Sequence, residues 1–305
     1  MNWACPQAAV EEDVMAGPVN LFKYMSLDTA RIVLASGRLR WSTPALLNDP
    51  FDMSFDLHLD VDAGRVKALA LDRFWADYLD DTVEPPSPGF AVWKAARAST
   101  GVRLDRAAFD AALGSEIERR IRDPRPLQAM HEGMQANLSR AKILCLTEQP
   151  DNILMWAHYG QQHVGAVMRF TLMGDNNAFQ TARPVAYAPA MPRLTDDEGL
   201  ARLITGRPDD PKAVSQVQIY TKADVWSYER EWRLQFGFGR DRDAAHEDLP
   251  FGDELLTGLI MGCRMPREDR GILATLAKAL NPDVDLMVAR PADRVFAIEL
   301  ETWDG

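Results

Sequence analysis

The chain has 305 residues, 47% of them hydrophobic, and a formal net charge of −11 from 34 Lys and Arg against 45 Asp and Glu. The apolar content suffices for one large core or for a domain with a sizeable insertion, while the acidic balance lacks the global field of a nucleic-acid binder, so no broad nucleic-acid-binding surface is expected. No stretch approaches the length of a transmembrane helix, and Cys5, Cys145 and Cys263 lie far apart with no Cys-x-x-Cys pair, so a cytoplasmic protein with no membrane partner is expected.

Residues 1–19 read as a loosely ordered leader ending at Gly17-Pro18, with Glu11, Glu12 and Asp13 where a secretory signal would be basic and then apolar. Leu21–Tyr24 reads as a short strand. Ser26 or Asp28 caps a helix from about Thr29 to Ala35 that stops at Gly37. Arg38–Ser42 alternates as a second strand, and Pro44 opens a short helical turn closed by Asn48-Asp49-Pro50.

From about residue 62 to 140, Ala, Leu, Arg and Asp recur at helical spacing, broken at Pro85-Pro86 and at Pro124 and Pro126. This predicts a helical insertion whose Trp75, Tyr78, Trp93 and Phe109 serve as core anchors. Beyond it, Ala141–Thr147 and Val164–Phe170 predict strands, with a helix over Ile153–Tyr159 capped by Asp151 or Asn152 and ended by Gly160. A short strand over Pro184–Tyr187 follows, then helices over Asp196–Ile204 and Lys212–Ala223. The chain closes with strands at Leu256–Gly262, Val284–Ala289 and Val295–Leu300 and a helix over Pro266–Leu280. Strands and helices mix without regular βαβ alternation. The expected fold is therefore α+β, a central mixed or antiparallel sheet in a single domain over 20–305 that carries the insertion.

The densest chemistry lies in Ser227-Tyr228-Glu229-Arg230-Glu231-Trp232-Arg233-Leu234. Read as a strand, it puts Trp226, Tyr228, Trp232 and Leu234 on one face with Arg230 among them, and Ser227, Glu229, Glu231 and Arg233 on the other. Two carboxylates on one face repel unless a cation sits between them: Arg233, a distant Lys or Arg, or a ligand. The same pattern also suits an ordinary solvated face with cross-strand ion pairs.

Other polar residues sit inside apolar motifs: Lys23 and Tyr24 on the first strand, Ser42 and Thr43 at the end of the second, Asn48 and Asp49 in the proline-bounded turn, and Trp156, His158 and Tyr159 on the short helix. Singly, each has a structural use: Asn48-Asp49 to cap backbone groups, Lys23 to snorkel, Trp156 and Tyr159 to fill the core. Together they have the composition of the walls of one pocket. There is no Gly-x-Gly-x-x-Gly, no phosphate-binding Gly-x4-Gly-Lys-Ser/Thr loop, no Gly-x-Ser-x-Gly elbow and no His-Glu-x-x-His. His158 and His163, five residues apart across Gly160, share no helix face, and no metal is expected.

The combination of Leu21–Ser26, Leu39–Pro44 with Asn48–Asp52, Met155–Gly160 with His163–Gly165, and Trp226–Arg233 resembles the prokaryotic domain-of-unknown-function family 2971. That family name implies no activity. The early part is also similar to ADP-ribosyltransferase-type domains, which cleave NAD at the nicotinamide–ribose bond with an early basic or His residue, a Ser-Thr-Ser motif and a late Glu-x-Glu. Lys23, Ser42-Thr43 and Glu229-x-Glu231 correspond in kind, although Lys23 stands where Arg or His is usual, Pro44 replaces the last Ser, and the pair precedes the insertion.

This second resemblance implies NAD as co-substrate, Glu231 and Glu229 as catalytic carboxylates, and a nucleotide-like ligand held by Lys23, Tyr24, Ser42, Asn48, Asp49, Trp156, His158, Tyr159, Tyr228 and Arg233. Departure of nicotinamide leaves an oxocarbenium-like ribose that a carboxylate can stabilise. It also implies a toxin or phage-defence effector as a biological role, with an acceptor that the sequence does not name. Two other classes stand beside it: a non-catalytic nucleotide- or anion-binding module, and a metal-dependent nuclease or phosphodiesterase built on Asp49, Asp52, Glu229 and Glu231.

Overall fold

The computed structural model describes residues 19–56, 60–85, 88–172 and 178–305; the expected leader, apart from Val19, lies outside the described residues. In chain order the elements begin with β1 (Asn20–Met25), α1 (Leu27–Ser36) and β2 (Arg38–Ser42). Next come α2 (Ala63–Leu79), α3 (Pro88–Thr100), α4 (Arg106–Ile121) and α5 (Arg125–Leu138). They are followed by β3 (Ile143–Thr147), α6 (Ile153–His158), β4 (Ala166–Thr171), β5 (Arg183–Pro184), β6 (Ala186–Ala188), α7 (Asp197–Ile204) and α8 (Pro211–Ile219). The last are β7 (Thr221–Ala223), β8 (Glu231–Gln235), β9 (His246–Pro250), β10 (Leu256–Met261), α9 (Arg267–Leu280), β11 (Asp285–Pro291) and β12 (Ile298–Thr302). The class is α+β with a mixed sheet, because β10 and β11 run parallel while the other pairs of the large sheet are antiparallel.

The chain gathers into two compact units. One comprises residues 54–136 and 191–219 and is helical. Val66, Phe74, Tyr78, Phe109, Ile117, Leu200 and Ile204 form its core. Trp75 and Trp93 both meet Phe109 edge-on, at ring-centroid distances of 5.1 and 5.6 Å. These are the aromatic anchors expected of the insertion; the sequence reading left α7 and α8 outside this group.

The other unit holds the sheet, in the order β12-β11-β10-β4-β1-β3-β2-β9, with β8 joined to β3 and β5. Its period-two strands bury both faces. On one face Leu21, Met168, Leu144 and Leu234 pack with Val33 and Leu34 of α1 and Leu273 and Ala277 of α9. On the other, Phe22, Tyr24, Val167 and Ile260 pack with Met155 and Trp156 of α6. Helix α1 starts on Ser26, whose Oγ accepts from Thr29 N, and stops at Gly37 in the left-handed region.

Several local expectations differ. Lys212–Ala223 is not one helix: α8 ends at Ile219 and β7 begins at Thr221, pairing in parallel with β6. Strand β9, opposite β2, is absent from the sequence reading because His246-Glu247-Asp248 carries no apolar alternation. Val164 and Gly165 lie in a turn rather than in β4. That turn runs through Gln161, Gln162 and His163, all at positive φ (50°, 54° and 70°). For non-glycine residues this costs about 1–2 kcal/mol each, and it persists because His163 N donates to Trp156 O at 3.2 Å and Gly165 N to Gly160 O at 2.8 Å.

Candidate functional site

The segment expected as one strand is broken. Asp224–Glu229 is a 3-10 helix, Arg230 adopts the left-handed conformation (φ 42°, ψ 54°), and only Glu231–Gln235 is strand. The physical reason lies in the hydrogen bonds that flank the reversal. Thr147 Oγ1 donates to Glu229 O at 2.5 Å, Asn152 Nδ2 to Tyr228 O at 2.9 Å, and Glu231 N to Tyr187 Oη at 2.8 Å. Glu229 and Glu231 therefore converge from a helix end and a strand start, not by alternation. From Glu231 on, the strand period does hold: Glu231 and Arg233 face Thr147 and Cys145 of β3, while Leu234 joins the core on the other face.

The cation between the two glutamates is Lys222 on β7. Its Nζ donates to Glu229 Oε2 at 2.5 Å and to Glu231 Oε2 at 3.0 Å, and it lies 5.1 Å from the Trp226 ring centre. Arg233 forks between two carboxylates. Nε and Nη2 reach Glu231 at 2.7 and 3.0 Å, while Nη1 and Nη2 reach Asp52 at 3.0 and 2.6 Å. All of this is buried: relative exposure is 5% for Lys222, 3% for Glu229, 5% for Glu231 and 0% for Arg233. Tyr159 Oη donates to Glu229 Oε1 at 2.6 Å, and Asn48 Nδ2 donates to Tyr159 Oη at 2.8 Å. Asn48 is exposed and Tyr159 half-buried, so one hydrogen-bonded chain runs from the surface to Glu229 and, through Lys222 and Glu231, to Arg233 and Asp52.

Burial by itself would raise the Glu231 carboxyl, but the Arg233 guanidinium and then Lys222 hold it down to about 2. Burial would lower Lys222, yet Glu231 and Glu229 keep its ammonium above the ordinary lysine value. Among the described residues the Asp52 carboxylate meets Arg233 alone, and burial leaves it above the ordinary carboxylate value despite that partner. Burial, and then the nearby Glu231 charge, push the Cys145 thiol up to about 12, so it is no thiolate nucleophile. Among the described residues three carboxylates meet two cations here. With all five groups ionised the cluster carries one excess negative charge, an expensive arrangement in a buried place.

Of the residues expected at the site, the structure joins Glu229, Glu231, Arg233, Tyr159 and Asn48 in this network, with Tyr228 at its edge beside Trp226 (ring centroids 6.1 Å). The others have structural partners. Lys23 Nζ donates to Cys145 O at 2.7 Å instead of facing a ligand phosphate. Tyr24 Oη donates to Gln149 O at 2.9 Å and its ring meets Trp156 edge-on. Trp156 is fully buried, its Nε1 donating to Pro150 O at 3.0 Å. Asp49 Oδ1 accepts from Phe51 N at 2.9 Å, closing a turn. Ser42 ends β2 opposite His246, and His158 is exposed at the end of α6.

The sequence reading missed Lys222, Tyr187 and Cys145 as site members and left Asp52 outside the pocket. The demand for a cation between two glutamates was the signal that could have led to Lys222. Among the described residues no group of three or more His, Cys, Asp and Glu is arranged to hold a metal ion. Asp52, Glu229 and Glu231 meet around Lys222 and Arg233, which fill the place that the nuclease alternative reserved for a divalent ion.

Residues 155–234 match the family described as Protein of unknown function (DUF2971). The match spans most of α6, the left-handed turn and the carboxylate segment, and it supports the resemblance read from those motifs. It brings no activity with it, and it lends nothing to the likeness with ADP-ribosyltransferases. No curated protein and no solved structure matches the chain. No helix among the described residues is long and apolar enough to cross a membrane.

Proposed function

We propose that the protein acts on NAD, or on a nucleotide of the same class, by cleaving its N-glycosidic bond, with Glu229 as the working carboxylate and Glu231 as a positioning residue. The observation that carries this reading is the chain Asn48–Tyr159–Glu229–Lys222–Glu231–Arg233–Asp52, open to solvent at one end and setting three carboxylates against two cations among the described residues. Such a site favours a cationic group, and a pyridinium ring or the oxocarbenium-like ribose left by its departure is one. Half-buried Tyr228 and Trp226 offer ring faces next to Glu229.

The order of the two glutamates reverses the sequence expectation. Glu231 has both carboxylate oxygens engaged by Lys222 and Arg233, so it fixes the ammonium and the guanidinium. Glu229 is next to the surface, and its Oε1 partner is a phenol that a ligand hydroxyl can replace. In the reaction the C1′–N1 bond breaks and the electron pair leaves with nicotinamide, which becomes neutral. Water or an acceptor then bonds to C1′ and gives its proton to Glu229.

A second reading is a binding module without turnover, favoured by the fact that Glu229 and Glu231 are both ion-paired and buried. Nicotinamide release from NAD, measured for wild type beside Glu229→Gln with calorimetric binding of NAD, separates the two. Release by wild type that drops at least about a hundredfold in the variant, the scale of a lost acid–base group, supports the first. Binding without release supports the second. Neither binding nor release defeats both.

A further inference from the structure

A cleft lies elsewhere on the same unit, where the hairpin joining β11 to β12 faces the left-handed turn and the loop after β10. It has a volume of about 550 Å³ and is lined by Ile153, His163, Arg264, Asp293, Arg294 and Phe296 among others. That volume is of small-molecule size.

Its chemistry is specific. Two exposed guanidiniums meet at its rim. Arg264 and Arg294 have no side-chain partner among the described residues, and both line this one cleft, against a single carboxylate at Asp293. The Nδ1 of His163 is buried with no hydrogen-bond partner, although buried polar atoms are ordinarily satisfied. Burial and then Arg264 push this imidazole below its ordinary value, which leaves it a neutral donor and acceptor at pH 7. Phe296 is fully exposed on the hairpin and Ile153 is exposed on α6, so the cleft combines free cations with uncovered apolar surface.

The wall is built rather than incidental. His163 is held at φ 70°, its ring parallel to Trp156 (8° between planes), with its carbonyl accepting from Arg264 N at 3.0 Å. A Cβ at Gly262 would collide with that same carbonyl oxygen, and a Cβ at Gly165 with Met25 O, so Gly262 lets the turn close onto the loop after β10 and Gly165 lets it close onto the end of β1. Backbone strain kept in place by its surroundings is characteristic of binding sites.

We propose that this cleft binds a small oxyanion carried on a flat apolar ring, with Arg264 and Arg294 taking the phosphate or carboxylate, His163 a further polar group, and Phe296 the ring. This site is independent of the one built on Glu229.

The test is isothermal titration of the intact protein with phenyl phosphate, benzoate and inorganic phosphate. The variants are Arg264→Gln/Arg294→Gln and Phe296→Ser, all at exposed positions, with melting temperature as the check on folding. Wild type is expected to bind at least one ring-bearing probe, and the better of the two identifies phosphate or carboxylate as the group recognised. The double arginine variant should bind it at least about tenfold more weakly, as expected for lost charge-assisted hydrogen bonds. Phe296→Ser should weaken the ring-bearing probe while leaving inorganic phosphate unchanged. Failure of both ring-bearing probes to bind wild type at millimolar concentration overturns the proposal. So does unchanged affinity in the double arginine variant, or inorganic phosphate binding as tightly as phenyl phosphate.

Discussion

Lys222→Met isolates the electrostatics of the buried cluster. The ammonium lies 2.5 Å from one Glu229 oxygen and 3.0 Å from one Glu231 oxygen. At the effective dielectric suited to protein sites, the two attractions are about 7 and about 6 kcal/mol before the desolvation of the three groups is subtracted. Methionine fills similar space and removes that attraction, leaving two carboxylates that repel each other. Breaking a buried pair in this way costs about 3–5 kcal/mol, and that loss is expected in urea unfolding at pH 7 followed by circular dichroism and tryptophan emission. The decisive variant is Lys222→Met/Glu229→Gln, which restores the native charge count while Gln still accepts from Tyr159. It should be more stable than Lys222→Met alone. A single variant that loses less than about 1 kcal/mol, the scale of an exposed ion pair, would refute the reasoning, as would a double variant no more stable than the single.

Three further outcomes follow from the same cluster. Because Glu231 is held at about 2 against an ordinary 4.5, it contributes stability of about 3 kcal/mol that is present above pH 4.5 and lost as the pH falls toward 2; Glu231→Gln should flatten that part of the stability–pH curve in thermal melts from pH 7 to pH 2. Asp52 is shifted the other way, so its contribution is present below its ordinary value and fades as the pH rises. Asp52→Asn should therefore cost less stability at pH 7 than Glu231→Gln, and equal or larger loss in parallel urea titrations would contradict the charge count. Tyr159→Phe removes the hydroxyl that caps Glu229 and should cost about 1 kcal/mol; under the proposed function it should also change NAD turnover, which a nicotinamide-release assay reads directly.

The apolar layers were legible in the sequence, because the apolar runs of β1, β3 and β4, the alternation in β2 and the caps at Ser26 and Asn152 are local signals. The carboxylate pair was legible as a pair, but its geometry was not. Period-two reading carries a strand through Arg230, and no local residue announces the left-handed turn there, since Arg is not a residue that ordinarily favours it. The turn is imposed by Thr147, Asn152 and Tyr187, which come from three other segments. Lys222 was hidden for a related reason: Lys212–Ala223 has helical composition throughout, and only pairing with β6 makes its last three residues a strand. Lys23, Tyr24 and Trp156 looked like pocket walls because sequence cannot distinguish a polar atom aimed at a ligand from one satisfied by a carbonyl across the sheet.

The turn at Arg230 bears on why the cluster exists at all. In an unbroken strand, Glu229 and Glu231 would stand side by side on one face, and a single solvated arginine could serve both. With Arg230 left-handed, Glu229 is carried beneath Tyr159 while Glu231 remains in register with Thr147, so the two carboxylates approach Lys222 from different directions. Well-packed apolar residues in place of buried ion pairs are often no less stable, so fold stability is a weak reason for burying five charged groups. The arrangement does leave Glu229 one atom from a surface phenol, backed by an ammonium whose position is fixed by Glu231, which Arg233 and Asp52 fix in turn. A carboxylate held in that way neither drifts nor is neutralised by solvent cations, and those are the properties that a group stabilising transient positive charge must have.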